Sequence, residues 1–213
     1  EWTDLSANPI RKRIVRGGDE TGEQSGHLSV GHYCEKISPG CANCYASDLQ
    51  KRFRMPAFQD QRGDRNGLWL DATVLERVVR RRKPSKIFWC DMSDLFGAWV
   101  PDEWIAACFG VMAATPWHTH QVLTKRVERA ADWFKWFSHH SVQQATDVLD
   151  EVPPVHGPEG GVAALYASKH MAESALRSDF FRHACAARWP LPNVWMGFSA
   201  EDQLRYDARR RFM

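Results

Sequence analysis

The chain is 213 residues long, 44% hydrophobic and 25% charged, with a net charge of +2. That length supports one substantial core, and no apolar run approaches the roughly 20 residues of a membrane span. The charge is too small to imply nucleic-acid binding by itself, and the opening EWTDLSANPI has no apolar signal region, so a cytoplasmic protein with reduced thiols is expected.

Residues 1–30 read as polar and Gly-rich, with a short apolar HLSV just before the first cysteine. A helix is predicted over 45–54 and a loop over 56–67. A second helix is predicted over 72–83, with Asp71 as N-cap, Val74, Leu75, Val78 and Val79 as its apolar face, and Pro84 as its stop. KIFWC at 86–90 reads as a short buried strand. Pro101 suits the first turn of the next helix, whose inner side would carry Trp104, Ile105, Cys108, Val111 and Met112. HQVLT at 120–124 is a second strand, followed by a helix over 126–137 that uses Val127, Ala130, Ala131 and Phe134. The stretch 150–161 reads as a surface insertion, helical pieces fall near 162–176 and 179–188, and NVWMGFS at 193–199 is a third strand.

Short apolar strands alternating with helices predict a parallel sheet with helices outside. Chemistry in such folds collects at the carboxyl ends of the strands. Three polar clusters fall there: Asp91, Ser93 and Asp94; Thr124, Lys125 and Arg126; and Ser199, Glu201 and Asp202. Positive charge is also clustered, at Arg11, Lys12, Arg13 and Arg16, at Arg80 to Lys83 with Lys86, and at Arg209 to Arg211. Such runs are ordinarily solvated faces, and they also suit a phosphate-bearing partner, a nucleic acid or nucleotide. Ten tryptophans are many for this length; most belong in a core, and some are free to line a pocket or stack on bases.

Half of the six cysteines fall in GHYCEKISPGCANCYAS, as Cys34, Cys41 and Cys44. Three readings stay open. Three thiolates hold a [4Fe–4S] cube and leave one iron free for an external molecule, as in radical S-adenosylmethionine (SAM) enzymes; Pro39 and Gly40 would form the tight loop and Tyr45 would pack on the cluster or the adenine. With His32 or His27 the same thiolates complete a structural Cys3His zinc site. The third reading is three buried cysteines without metal. Cys90, Cys108 and Cys185 lie in apolar contexts and read as core, although Cys90 ends a strand.

The blocks EWTDLSANP, CEKISPGCANCYA, IFWCDMSDLFGAWVPDEWI, HTHQVLTKRVERAADW and PLPNVWMGFSAEDQ, in this order, resemble a phage and bacterial family of three-cysteine-motif, radical-SAM-like proteins. The resemblance implies an α/β fold, a partial (β/α) barrel of radical-SAM type with parallel strands inside and helices outside. It implies one domain over 1–213 with insertions near 11–30 and 138–188 and, since members continue with further strands, either a short member or a chain whose C-terminal part is missing. It also implies that Cys34, Cys41 and Cys44 ligate the cluster, that Asp91, Ser93 and Asp94 form the SAM-side rim, and that Thr124, Lys125 and Arg126 lie on a neighbouring strand end. Lys125 or Arg126 would neutralise the SAM carboxylate or a substrate phosphate, with Lys125 and Asp94 as the catalytic candidates. Ser199, Glu201 and Asp202 would bind the ribose or amino group of SAM, or the substrate. The expected activity is a reduced-cluster cleavage of SAM to a 5′-deoxyadenosyl radical, fed by an external electron donor, on a nucleic-acid base or nucleotide. The competing expectations are a zinc-stabilised nucleic-acid-binding module and a cluster-bearing scaffold without catalysis.

Overall fold

The computed structural model describes residues 2–16, 27–53, 65–148, 158–176 and 179–212. Most of the expected loop at 56–67 and of the expected insertion at 150–161 lies outside these residues. Four parallel strands, β1 (Leu5–Ala7), β5 (Lys86–Trp89), β6 (Thr119–Thr124) and β7 (Val194–Phe198), form one sheet in that order. The α/β expectation therefore holds as a parallel sheet with helices packed on it, open rather than closed into a barrel among the described residues. No described helix is long and apolar enough to cross a membrane.

Register divides this sheet into two unlike faces. Ala7, Trp89, Val122 and Met196 are cross-strand neighbours on one face. The first three are fully buried, and Met196 packs against the same core. Ser6, Phe88, Gln121 and Trp195 are neighbours on the other. There Phe88 is half-exposed and Trp195 is 57% exposed.

The helices cover the first face. In α2 (Ala72–Arg80) the expected N-cap is present, the Asp71 carboxylate accepting from Thr73 N at 3.1 Å, and Val74, Leu75, Val78 and Val79 are all buried. The helix ends before the expected Pro84, because Arg81 is already extended and its guanidinium donates to Ser85 Oγ at 2.7 Å. Helix α3 (Asp102–Ala114) is buried over its whole length from Ile105 to Ala114, so it runs through the core rather than over it. Helix α4 (Val127–Val148) extends beyond the expected stop at 137. Its buried side is Val127, Ala130, Trp133 and Phe137, with the expected Ala131 half-exposed. Trp133 stacks on Phe137 at 4.9 Å and on Phe109 of α3 at 5.0 Å. The two helical pieces become α5 (Glu159–Ser168), a 3-10 turn at Glu173–Ala175 and α6 (Phe180–Cys185). A last helix, α7 (Gln203–Arg210), was not foreseen; Asp202 caps it, accepting from Arg205 N at 2.8 Å.

The N-terminal segment departs most from expectation. Besides β1 it holds β2 (Ile10–Arg16) and β3 (His27–Gly31), which with β4 (Leu68–Leu70) make an antiparallel sheet in the order β3-β2-β4. The basic run 11–13 is part of this sheet and only partly solvated, Arg13 being exposed. Arg11 pairs with Asp71 at 3.4 Å, Lys12 is 2% exposed with its ammonium over the Tyr33 ring, and Arg13 lies over Trp69. Chain leaving β3 enters the cysteine loop, which makes a 3-10 turn at Pro39–Asn43 before α1 (Tyr45–Arg52).

Candidate functional site

The carboxyl ends of β5, β6 and β7 face the cysteine loop across a cleft of about 630 Å³. Cys34, Cys41, Cys44 and Tyr45 line it from the loop and the start of α1. Asp91, Ser93, Asp94, Thr124, Lys125, Arg126 and Ser199 line it from the strand ends. Two predicted site residues are placed otherwise. Glu201 is at the rim, where its carboxylate meets Lys125 and Ser38. Asp202 is used as the cap of α7 and pairs with Arg205 at 3.1 Å.

Asp94 organises the strand ends. It is 5% exposed and accepts four donors: Phe96 N at 3.0 Å and Thr124 Oγ1 at 2.7 Å on one oxygen, Lys125 N at 3.2 Å and Arg126 Nη1 at 2.8 Å on the other. All its accessible lone pairs are thus engaged, and this catalytic candidate ties the β5 and β6 ends together. Arg126 carries the tie onward: Nη2 donates to Glu35 O in the cysteine loop at 2.7 Å, and the guanidinium covers the Trp99 ring at 4.6 Å. Ser93 Oγ donates to Tyr33 O at 2.7 Å and Tyr45 Oη donates to Asp91 O at 2.8 Å, so the loop is fastened to the sheet at three points. Cys90 begins this strand-end turn in the left-handed region, at φ 56°, with its N–H on Ala7 O. A non-glycine residue held there costs about 1–3 kcal/mol.

Lys125 is the cation nearest the thiols. Its ammonium donates to Cys41 Sγ at 3.6 Å, to Ser38 Oγ at 3.2 Å and to Glu201. Burial opposes ionisation of Glu201, but the hydrogen bonds from Lys125 and Ser38 outweigh it and hold the carboxyl down at about 2. Arg209 of α7 braces the other Glu201 oxygen at 3.2 Å. The glycine at 40 is required here: a Cβ on Gly40 would lie 2.1 Å from Glu201 Cγ.

The thiols are unequal. Burial pushes Cys34 up to about 12 despite the nearby Arg126. At Cys41 burial is outweighed by hydrogen bonds from the Ile37 backbone and Ser38 and by the Lys125 charge, and its thiol is lowered. All three are free cysteines and none is fully buried. They supply three sulfur donors on one loop, a soft set that suits a thiophilic metal or an iron–sulfur cluster. Among the described residues no three His, Cys, Asp or Glu side chains already stand in metal-holding positions. The zinc alternative through His32 has less to stand on: that imidazole is buried, bonds Arg11 Nη1 at 2.9 Å and is absent from the cleft lining.

Several residues that shape the site were not anticipated: Ser38, Glu35, Trp99, Arg209 and Asn8, whose amide bonds both the Asp91 carboxylate and Met92 N. Ser38 and Glu35 lie between the cysteines, where their polarity alone does not separate a fastener from a solvated loop residue. The basic runs at 80–82 and 209–211 are largely compensated: Arg80 pairs with Glu76, Arg82 with Asp179, Arg209 with Glu201, Arg210 with Asp207 and Arg211 with Glu128, while Arg81 bonds Ser85.

Residues 29–213 match a family described as a protein of unknown function, DUF5131. No curated protein and no solved structure matches the chain.

Proposed function

The chain belongs to this family, and we propose that it is a radical-SAM enzyme with a partial-barrel fold, holding a [4Fe–4S] cluster through Cys34, Cys41 and Cys44. The observation that carries the reading is the convergence of an all-cysteine loop and eight predicted polar or aromatic residues on one cleft at the strand ends of a parallel sheet. When bound, the cluster would supply one-electron cleavage of SAM to a 5′-deoxyadenosyl radical. The chain's own residues bind, orient and shield. Lys125 offers its ammonium to an incoming carboxylate in exchange for Glu201, and Glu201 takes up a ligand ammonium in the same exchange. Arg126 and Asp94 hold the loop against the sheet, which fixes the thiols relative to the ligand and excludes water from between them.

Anaerobic reconstitution with iron and sulfide, followed by metal analysis, tests this. About four irons per chain, as a cube requires, visible absorption, and 5′-deoxyadenosine on adding reductant and SAM are expected. Replacement of Cys41 by alanine should abolish iron retention and SAM cleavage together. Stoichiometric zinc without colour overturns the reading, and a brown protein inert toward SAM reduces it to a scaffold.

A further inference from the structure

Below the cysteines the same cleft runs down the open face of the parallel sheet. Phe88 is two residues before Cys90, about 7 Å at the rise of a strand. Trp2 lies lower still, since the chain beside it, Asp4, pairs with Lys86 at the start of β5. Trp2 and Phe88 both line the cleft and meet edge to face at 4.9 Å. Trp2 is nevertheless 54% exposed. It is not a loose terminal side chain: its carbonyl accepts from Gln121 Nε2 at 2.8 Å, and Gln121 is 2% exposed. An indole tethered at its backbone, packed on Phe88 and still half-exposed in a cleft offers a stacking platform.

The opposite end of the cleft carries Lys125 and Arg126. A ligand that fits is flat and aromatic at one end and anionic at the other. Because most cations of the runs at 80–82 and 209–211 pair with carboxylates, the surface favours a short ligand over a long polyanion. We propose that Trp2 and Phe88 form the subsite for the base of a nucleotide substrate, with its charged end toward the strand ends. As a substrate assignment this rests on the function proposed above; the binding itself does not need the cluster.

Titration calorimetry on the full chain tests it, using the four deoxynucleoside 5′-monophosphates and deoxyribose 5-phosphate as probes. At least one nucleotide should bind and the abasic sugar phosphate should not. Trp2→Ala should weaken that nucleotide about tenfold or more, the usual worth of one base stacked on an aromatic side chain, and Trp2→Phe should restore most of it. Both variants change an exposed side chain, and matching thermal melts check that the fold is kept. The same nucleotide should bind the chain before any reconstitution with iron and sulfide, so loss of the cluster reading and loss of the platform are told apart. Equal binding of the abasic probe, no binding by any nucleotide, or no effect of Trp2→Ala overturns the inference. So does a matching loss of SAM affinity in Trp2→Ala, which would give the platform to the cofactor's adenine.

Discussion

Asp94 shows how a residue singled out for chemistry also sets position. A carboxylate after a strand, in a cleft, beside a lysine and an arginine looks reactive in a sequence. In the fold its two oxygens are occupied by two backbone N–H groups, a hydroxyl and a guanidinium, and Arg126 in turn reaches the cysteine loop. Removing one partner of a buried pair leaves the other charge stranded, typically at about 3–5 kcal/mol. Asp94→Ala should therefore lower stability by that order, read as the urea midpoint, and loosen the cysteine loop to proteolysis. A loss below about 1 kcal/mol, the scale of an exposed pair, would show that the tie is dispensable.

At the scale of elements, the strands that were legible are those buried as continuous apolar runs: KIFW, HQVL and VWMGF became β5, β6 and β7. Those that were missed lack that signal. β1 is only LSA, and β2 is IRKRIVR, whose charges read as solvated although Lys12 is fully covered and Arg11 and Arg13 are partnered. α7 was missed because its residues are nearly all polar, and its cap, Asp202, was read as a ligand group. The candidate cleft itself was legible because strand-end position is a matter of topology. The fasteners were not, because Ser38, Glu35 and Asn8 act through contacts that only the folded loop creates. Helix packing supplies another such contact. A Cβ on Gly110 of α3 would lie 2.1 Å from Ala163 O of α5, so these two backbones touch. Gly110→Ala must push the helices apart and should cost about 1–3 kcal/mol, as overpacking does. Calorimetric melts would register it as a lower Tm, and an unchanged Tm would mean that α3 and α5 separate freely.

The whole molecule should be acid-sensitive beneath its sheet. His120 is fully buried on the helix-covered face; its Nδ1 accepts from Trp89 Nε1 at 3.0 Å and its Nε2 meets Thr115 Oγ1 at 3.0 Å, while that hydroxyl donates to Val111 O. Burial, reinforced by the neighbouring His118, brings its pKa down from 6.5 to about 3. The unfolded chain takes up a proton as pH falls through 6.5 and the folded one does not, so stability is lost from there downward and levels off near 3. Each pH unit in that window should cost about 1.4 kcal/mol from this residue. Urea midpoints at pH 7.5 and 5 would show the fall, and equal midpoints would mean that the imidazole is solvated.

The pairing of β1 with β5 also sets a timetable. The chain leaves the parallel sheet at Ala7 and returns at Lys86, and the antiparallel sheet, the cysteine loop, α1 and α2 all lie on that excursion. β5 and β6 are much closer in sequence and can zip first, whereas β1 closes a long loop and is slow by comparison. During synthesis the N-terminal strand emerges early and waits for a neighbour that has not yet been made. Its arrival also brings the thiols to the strand ends, through Asn8, Tyr33 and Tyr45 on β5's final turn. Closure of the cleft around the thiols is thus a late event in the life of the chain, and a nascent protein offers its three thiols to the cell before it has a cleft to keep them in.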